Sequence, residues 1–332
     1  MEDVSETPVF NALDSTSIGQ IDASYVDKLS ASNTCGLILA VSVSQPQAAA
    51  LASLATFVHA IHAFPKLAVV ASIADYRSVR SAGRIGVFLG FEDSLAVGES
   101  VSFVGPLKAL GVTCPQVTYQ RRNAFGDGCG ETEPAGLSNL GRELVRQCND
   151  VGILLDVSHC SAPTTLEVAR MSRAPIAATH VGCRVLVDVV RNKTDDEIRA
   201  IAATGGFIGI AAKSGFLAAG GADKGTDVSD YVRHLEHIVQ LVGVEHAVIG
   251  TDIGDERKYT RDFAEGVRRR FPEIGLVAED LDVTKIHPAG IGGPGEVRNI
   301  VVDLVRRGWT PEQVRAVAHG NAERVLMSAL HD

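Results

Sequence analysis

The chain has 332 residues, 45% of them hydrophobic, and a formal net charge of −9. An acidic balance without a Lys/Arg-rich stripe excludes nucleic acid as a partner, because phosphates demand clustered positive charge. The first eight residues lack the basic start and apolar stretch of a secretory signal, and no run approaches the roughly 18 apolar residues a membrane span needs. The expectation is a cytoplasmic protein with a small-molecule partner and no membrane contact.

In chain order, eight short apolar runs read as strands buried on both faces: Val9–Ala12, Gly36–Ser42, Ile85–Phe91, Val112–Thr118, Ile153–Ser158, Ile176–Thr179, Phe207–Ala211 and Ala247–Thr251. Amphipathic segments separate them, with helix starts such as Thr194-Asp195-Asp196-Glu197 and Thr310-Pro311-Glu312-Gln313, both capping boxes. Eight β units alternating with helices predict a single (β/α)8 TIM-type barrel over residues 1–332. A doubly wound open sheet fits less well, since no Gly-rich phosphate turn follows the first strand. The most irregular stretch, Glu273 to Gly295, reads as a loop after the eighth strand. The six cysteines lack paired spacing and read as free thiols.

Strand ends matter most in such a barrel, because the C-terminal ends converge on one mouth. Glu92, His159 and His180 each close an apolar run, and Tyr119 and Asp252 follow two others. One such histidine alone reads as a local strand cap. Two imidazoles and a carboxylate at three strand ends make the minimum catalytic zinc set with a coordination position left open. Other candidates carry less. His59 with His62, and His234 with His237, are spaced three apart on helices, lack a third ligand and read as packing or surface residues. Arg121 and Arg122 read equally as an anion-binding pair or a solvated loop pair. Cys160 and Cys183 lie beside the histidines and read as small buried fillers rather than thiolates. Asp156 is expected to make a buried hydrogen bond or to orient a neighbouring ligand.

The residues resemble a known family. The stretches Gly90-Phe91-Glu92, Gly136-Leu137-Ser138-Asn139-Leu140-Gly141, Leu155-Asp156-Val157-Ser158-His159, Ala177-Ala178-Thr179-His180, Arg191-Asn192, Gly205-Gly206-Phe207-Ile208-Gly209, Ile249-Gly250-Thr251-Asp252 and Gly320-Asn321-Ala322-Glu323-Arg324 are similar to the membrane (renal) dipeptidases, zinc peptidases of the amidohydrolase-like barrel class. The resemblance implies that Glu92 bridges two zinc ions and that His159 and His180 ligate one of them. It also implies that Arg191 holds the substrate's carboxylate, that Asp252 handles its amine or a proton, and that the chain forms a homodimer.

The sequence departs from that family at the first strand. The family's His-x-Asp there is Leu13 and Ser15 here, and Asp14 between them should face away, because side chains alternate along a strand. A further family histidine, at the fourth strand's end, is Tyr119. A catalytic zinc uses about three protein ligands, so one zinc rather than two is expected. That leaves a divergent metal-dependent hydrolase of the amide or peptide bond of a small amino-acid-derived substrate, with Glu92, His159 and His180 as metal ligands, Asp252 and Tyr119 as catalytic groups, and Arg191, Tyr119 and Asp252 contacting a substrate that carries carboxylate and amine groups. The alternative is a non-hydrolytic enzyme, of biosynthetic tailoring or lyase type, or a catalytically inactive binding protein on the same scaffold.

Overall fold

In the computed structural model, which describes residues 4–330, seven of the eight predicted runs and one further segment, β3, form strands β1 (Val9–Asp14), β2 (Thr34–Val43), β3 (Leu67–Val69), β4 (Ile85–Glu92), β5 (Val112–Pro115), β6 (Ala177–Val181), β7 (Phe207–Ile210) and β8 (Ala247–Ile249). The extreme termini of the expected 1–332 domain lie outside the described residues. All the strand pairs are parallel, in two arcs: β1, β2 and β4, flanked by β3 and β5, and then β6, β7 and β8.

Isolated bridges join the arcs into a ring. Asp156 bridges Gln116 on one side and Ala177 on the other, while Asp14 bridges Ile253. The fifth of the eight predicted strands is therefore the short extended segment 154–157. Leu154 N–H donates to Thr113 O at 3.1 Å, Asp156 N–H to Pro115 O at 3.1 Å, and Val157 N–H to Ala177 O at 2.8 Å. On the opposite seam Asp252 N–H donates to Leu13 O at 3.0 Å and Ser15 N–H to Ile253 O at 3.2 Å. The architecture is the expected (β/α)8 barrel. The sequence reading missed β3, a three-residue strand beside the first half of β4. Three residues give too little alternation to register as a strand.

The barrel interior is packed from alternate sides of the ring. Phe10, Ile38 and Phe88 meet Cys114 and Leu154 on one side, and Ala177, Phe207 and Val248 on the other. The helices bury apolar stripes around the outside, as Leu144, Val145 and Cys148 do on the helix Asn139–Val151. Both predicted capping boxes form, at Thr194 with Glu197 and at Thr310 with Gln313. Two glycines set how closely β6, β7 and β8 can approach. A Cβ on Gly209 would lie 2.1 Å from Thr179 O, and one on Gly250 would lie 1.8 Å from it. Any larger residue would push β6 outward and displace His180.

Candidate metal centre

The strand ends converge as expected. Glu92 ends β4, His180 lies near the end of β6, and His159 follows the 154–157 segment. All three are buried, and one ligand atom from each lies within 4.8 Å of the other two. His159 Nε2 is 2.8 Å from His180 Nε2 and 3.4 Å from Glu92 Oε2. Among the described residues this is the one cluster of three or more His, Cys, Asp or Glu side chains with such geometry.

A layer of hydrogen bonds behind His180 fixes its proton. Thr179 Oγ1 donates to Asp156 Oδ2 at 2.5 Å, so it has only lone pairs left for His180 Nδ1, 2.7 Å away. Nδ1 therefore carries the hydrogen and Nε2 is left with its lone pair, an assignment that rests on this network. Asp156 Oδ1 meanwhile accepts from Ser158 N–H and Ser158 Oγ at 2.8 and 2.6 Å, and Ser158 Oγ accepts from His180 N–H. The expected role of Asp156 as an orienting residue is thus visible in its contacts.

Burial pushes the His180 imidazole down to about 4 and holds that of His159 well below its usual value, with the Arg191 charge acting in the same direction on both. Both rings are neutral at physiological pH, the form that ligates metal. Burial, together with the nearby Asp252 charge, raises Glu92 to about 8. Two neutral imidazoles whose Nε2 atoms converge, beside a buried carboxyl group, fit a divalent ion of the zinc type.

A cavity of about 520 Å³ opens beside the cluster and is lined by Glu92, Tyr119, His159, Arg191 and Asp252 among others. Tyr119 stacks on His159, with ring centroids 4.3 Å apart and planes 28° apart. Burial raises its phenol well above the ordinary value, so it stays protonated. Arg191 is only 1% exposed. Its guanidinium donates to Ser158 O at 2.6 Å and His180 O at 3.0 Å, with one nitrogen 3.3 Å from His159 Nε2. Asp252 sits at φ +53°, an uncommon conformation for a residue with a side chain. It is held there by Ser15 Oγ and Lys213 Nζ, which both donate to its carbonyl oxygen. Burial alone would raise the Asp252 carboxyl, but Lys213 and the other cations around it hold it below the usual range.

At the first strand Leu13 is buried among the barrel's apolar interior. Ser15 lines the cavity, and Asp14 turns back to accept from Thr16 N–H at 2.8 Å, as the strand alternation predicted. The sequence reading missed Lys213, Lys258 and Tyr259. Lys213 Nζ lies 3.4 Å from Asp252 Oδ2 and 5.1 Å from the centroid of the Tyr259 ring, and Lys258 Nζ donates to Ser15 O at 2.6 Å. The available signal was a lysine closing the apolar run Phe207–Ala212, where a barrel strand end faces the mouth.

The remaining candidates take structural places. His59 and His62 are exposed. His234 Nδ1 accepts from Cys183 N–H, and His237 pairs with Asp195 at 2.8 Å. Arg121 and Arg122 contact Arg270 O and Asp127 at the surface. Cys160 is buried beside Thr118, its thiol pushed up to about 11, and burial raises Cys183 further still. No described helix is long and apolar enough to cross a membrane.

Comparison with known proteins agrees with this geometry. Residues 11–264 match the family model described as membrane dipeptidase, peptidase family M19. The chain is 26% identical over 273 residues to the dipeptidase aclJ of Aspergillus oryzae, covering 81% of this chain and 58% of that protein. It is 24% identical over 265 residues to the dipeptidase verJ of Clonostachys rogersoniana, covering 79% and 60%. It therefore spans about three fifths of the length of these curated relatives. Among solved structures, an amidohydrolase from Pseudomonas aeruginosa superposes with a TM-score of 0.88 at 28% identity, covering 99% of this chain and 98% of that one. A Rhodobacter sphaeroides metallopeptidase, solved with a phosphinate mimic of the dipeptide L-Ala-D-Ala, superposes at 0.81 with 20% identity, covering 97% and 99%, and at that identity the likeness speaks for the fold alone.

Proposed function

The chain belongs to the membrane dipeptidase family, peptidase family M19, and we propose that it is a zinc-dependent hydrolase of the amide or peptide bond of a small amino-acid-derived substrate, working with one ion held by Glu92, His159 and His180. The convergence of those three donors within 4.8 Å carries the reading. The dipeptidases aclJ and verJ among its relatives support a substrate of dipeptide size. When bound, a divalent ion at this position polarises a carbonyl and acidifies water.

The chain's own residues divide the remaining work. Asp252 is kept ionised by Lys213, lines the same cavity as Glu92 and His159, and takes the proton released in the attack or pairs with the substrate's amine. Arg191 is anchored through two carbonyl oxygens and has five N–H donors in all, which leaves donors for a substrate carboxylate. Tyr119 keeps the His159 ring in orientation by stacking and offers a protonated hydroxyl to the developing oxyanion. The family's first-strand ligand positions hold Leu13 and Ser15, so the proposed stoichiometry is one.

Elemental analysis of protein purified without chelator tests this directly. One zinc per chain is expected, together with dipeptide hydrolysis that a chelator abolishes and added zinc restores. Two ions per chain would overturn the single-ion proposal, and a metal-loaded protein inert toward every dipeptide and N-acyl amino acid offered would overturn hydrolysis.

A further inference from the structure

The cavity has two unlike walls. Its floor, at the strand ends, is polar: Glu92, His159, Asp252, Lys213 and Arg191. Its outer wall comes from the segment after β8 and is mainly apolar, with Phe263 and Val267 from the helix Arg261–Arg270 followed by Phe271, Ile274 and Ile286, with Phe216 closing the side, and with Lys258, Asp262 and Arg270 as its charged members.

The helix Arg261–Arg270 shows that this wall is built for the cavity. Phe263 and Val267 are four apart and share one face, while Arg261, Asp262 and Arg268 to Arg270 are exposed. An ordinary barrel helix turns such a stripe onto the core. Here Phe263 belongs to a small separate cluster with Tyr259, Ala264, Leu281 and Ile286, outside the two large cores. Both Phe263 and Val267 remain half-buried and line the cavity. Phe271 is fixed edge-on against Tyr119 with centroids 5.3 Å apart, and Tyr119 stacks in turn on His159, so the apolar wall adjoins the metal-ligand cluster directly. A dipeptide of small side chains would leave this surface facing water. Lodging an apolar group against it recovers about 0.8 kcal/mol, or roughly fourfold in affinity, per buried methylene.

We propose that the substrate carries a bulky apolar group, aryl or branched to medium-length alkyl, seated against Phe216, Phe263, Val267, Phe271, Ile274 and Ile286, with its amide and carboxylate facing the polar floor. The inference rests on the hydrolase reading for the amide but is read out by binding. The test is calorimetric titration of the zinc-loaded protein with two series: N-acylglycines from acetyl to octanoyl, and glycyl amino acids from glycyl-alanine to glycyl-phenylalanine. In at least one series Kd should fall about three- to fourfold per added methylene until the wall is covered, with an increasingly negative heat-capacity change. Phe263→Ala should weaken the longest ligand of that series about tenfold and leave the shortest unchanged. Phe263 is half-buried on a surface helix, and Phe263→Leu, which keeps an apolar side chain there, should retain most of the gain. Flat affinities along both series overturn the proposal, even when every ligand is hydrolysed. Rising affinity without hydrolysis upholds it while overturning the hydrolase reading.

Discussion

Two sides of the barrel mouth solve the problem of buried polarity in different ways. On the side of the 154–157 segment and β6, the neutral His180 imidazole is held by a chain of hydrogen bonds from Asp156 through Thr179 to its Nδ1, and the one cation there, the Arg191 guanidinium, is anchored on the carbonyl oxygens of Ser158 and His180. On the side of β1 and β8, Leu13 gives up ligand chemistry and the polarity is ionic: Lys213 against Asp252, and Lys258 against the Ser15 carbonyl oxygen. The first arrangement leaves a lone pair aimed into the site for a cation to satisfy. The second places ammonium groups beside the carboxylate and so has little use for another positive charge. The difference fits the proposed single ion, held at the cluster of Glu92, His159 and His180.

The largest expected effect comes from breaking the first side. His180→Ala removes a proposed ligand together with the N–H that Thr179 Oγ1 accepts, and Glu92→Gln removes the carboxylate. Either should reduce bound zinc to below one tenth of an ion per chain and cut turnover by at least 10³-fold, because catalysis in this reading depends on the ion. Elemental analysis and a dipeptidase assay read both. Zinc retained at full occupancy in His180→Ala would show that the ion binds elsewhere and that the two sides are not divided as described.

A smaller effect should follow on the second side. Asp252→Asn keeps the shape and the left-handed backbone, which asparagine tolerates, but loses the base and the partner of Lys213. Turnover should drop about 10²- to 10⁴-fold, the usual range for a general acid–base group, with zinc content unchanged. This split between metal and rate separates the two sides. Loss of zinc in Asp252→Asn would mean that they share the ion after all.

The two sides also differ in how legible they were. The barrel could be read from eight apolar runs because strands buried on both faces are short, continuously apolar and separated by segments with helix start signals. Glu92, His159 and His180 could be read because a charged or ligating residue closing such a run has few other reasons to be there. Lys213 closes the apolar run Phe207–Ala212 and carried the same signal, whereas Lys258 could not be read that way, because it sits in an irregular turn after β8 and its place in the mouth depends on how that loop folds back, which leaves no period in the sequence. The 154–157 strand was expected as a full strand and forms only a narrow bridge, because the Asp156 side chain turns back to hold Ser158 N–H and Oγ rather than leaving the ladder regular. The apolar wall was hidden for a related reason. Its residues come from the stretch read as a loop and from a helix whose stripe resembles ordinary packing.

The smallest expected effect concerns Asp14, the carboxylate of the first strand that faces away from the proposed metal site. Burial raises its carboxyl to about 6, only partly offset by the bonds from Thr16 and by the neighbouring Tyr25 and Lys258. A group whose folded value lies above its unfolded value of 3.8 loses its proton first in the unfolded chain. The native state is therefore penalised progressively as pH rises from about 4 to about 6, and fully above that. Asp14→Asn keeps the oxygen that accepts from Thr16 N–H and removes the charge. It should leave stability nearly unchanged at pH 4 and increase it at pH 7.5 by on the order of 1–3 kcal/mol, the scale of a two-unit shift. Denaturant unfolding of both proteins at the two pH values measures this, and zinc content should be the same in both. A variant that is less stable at pH 7.5 would show that the Asp14 charge is used by the first strand.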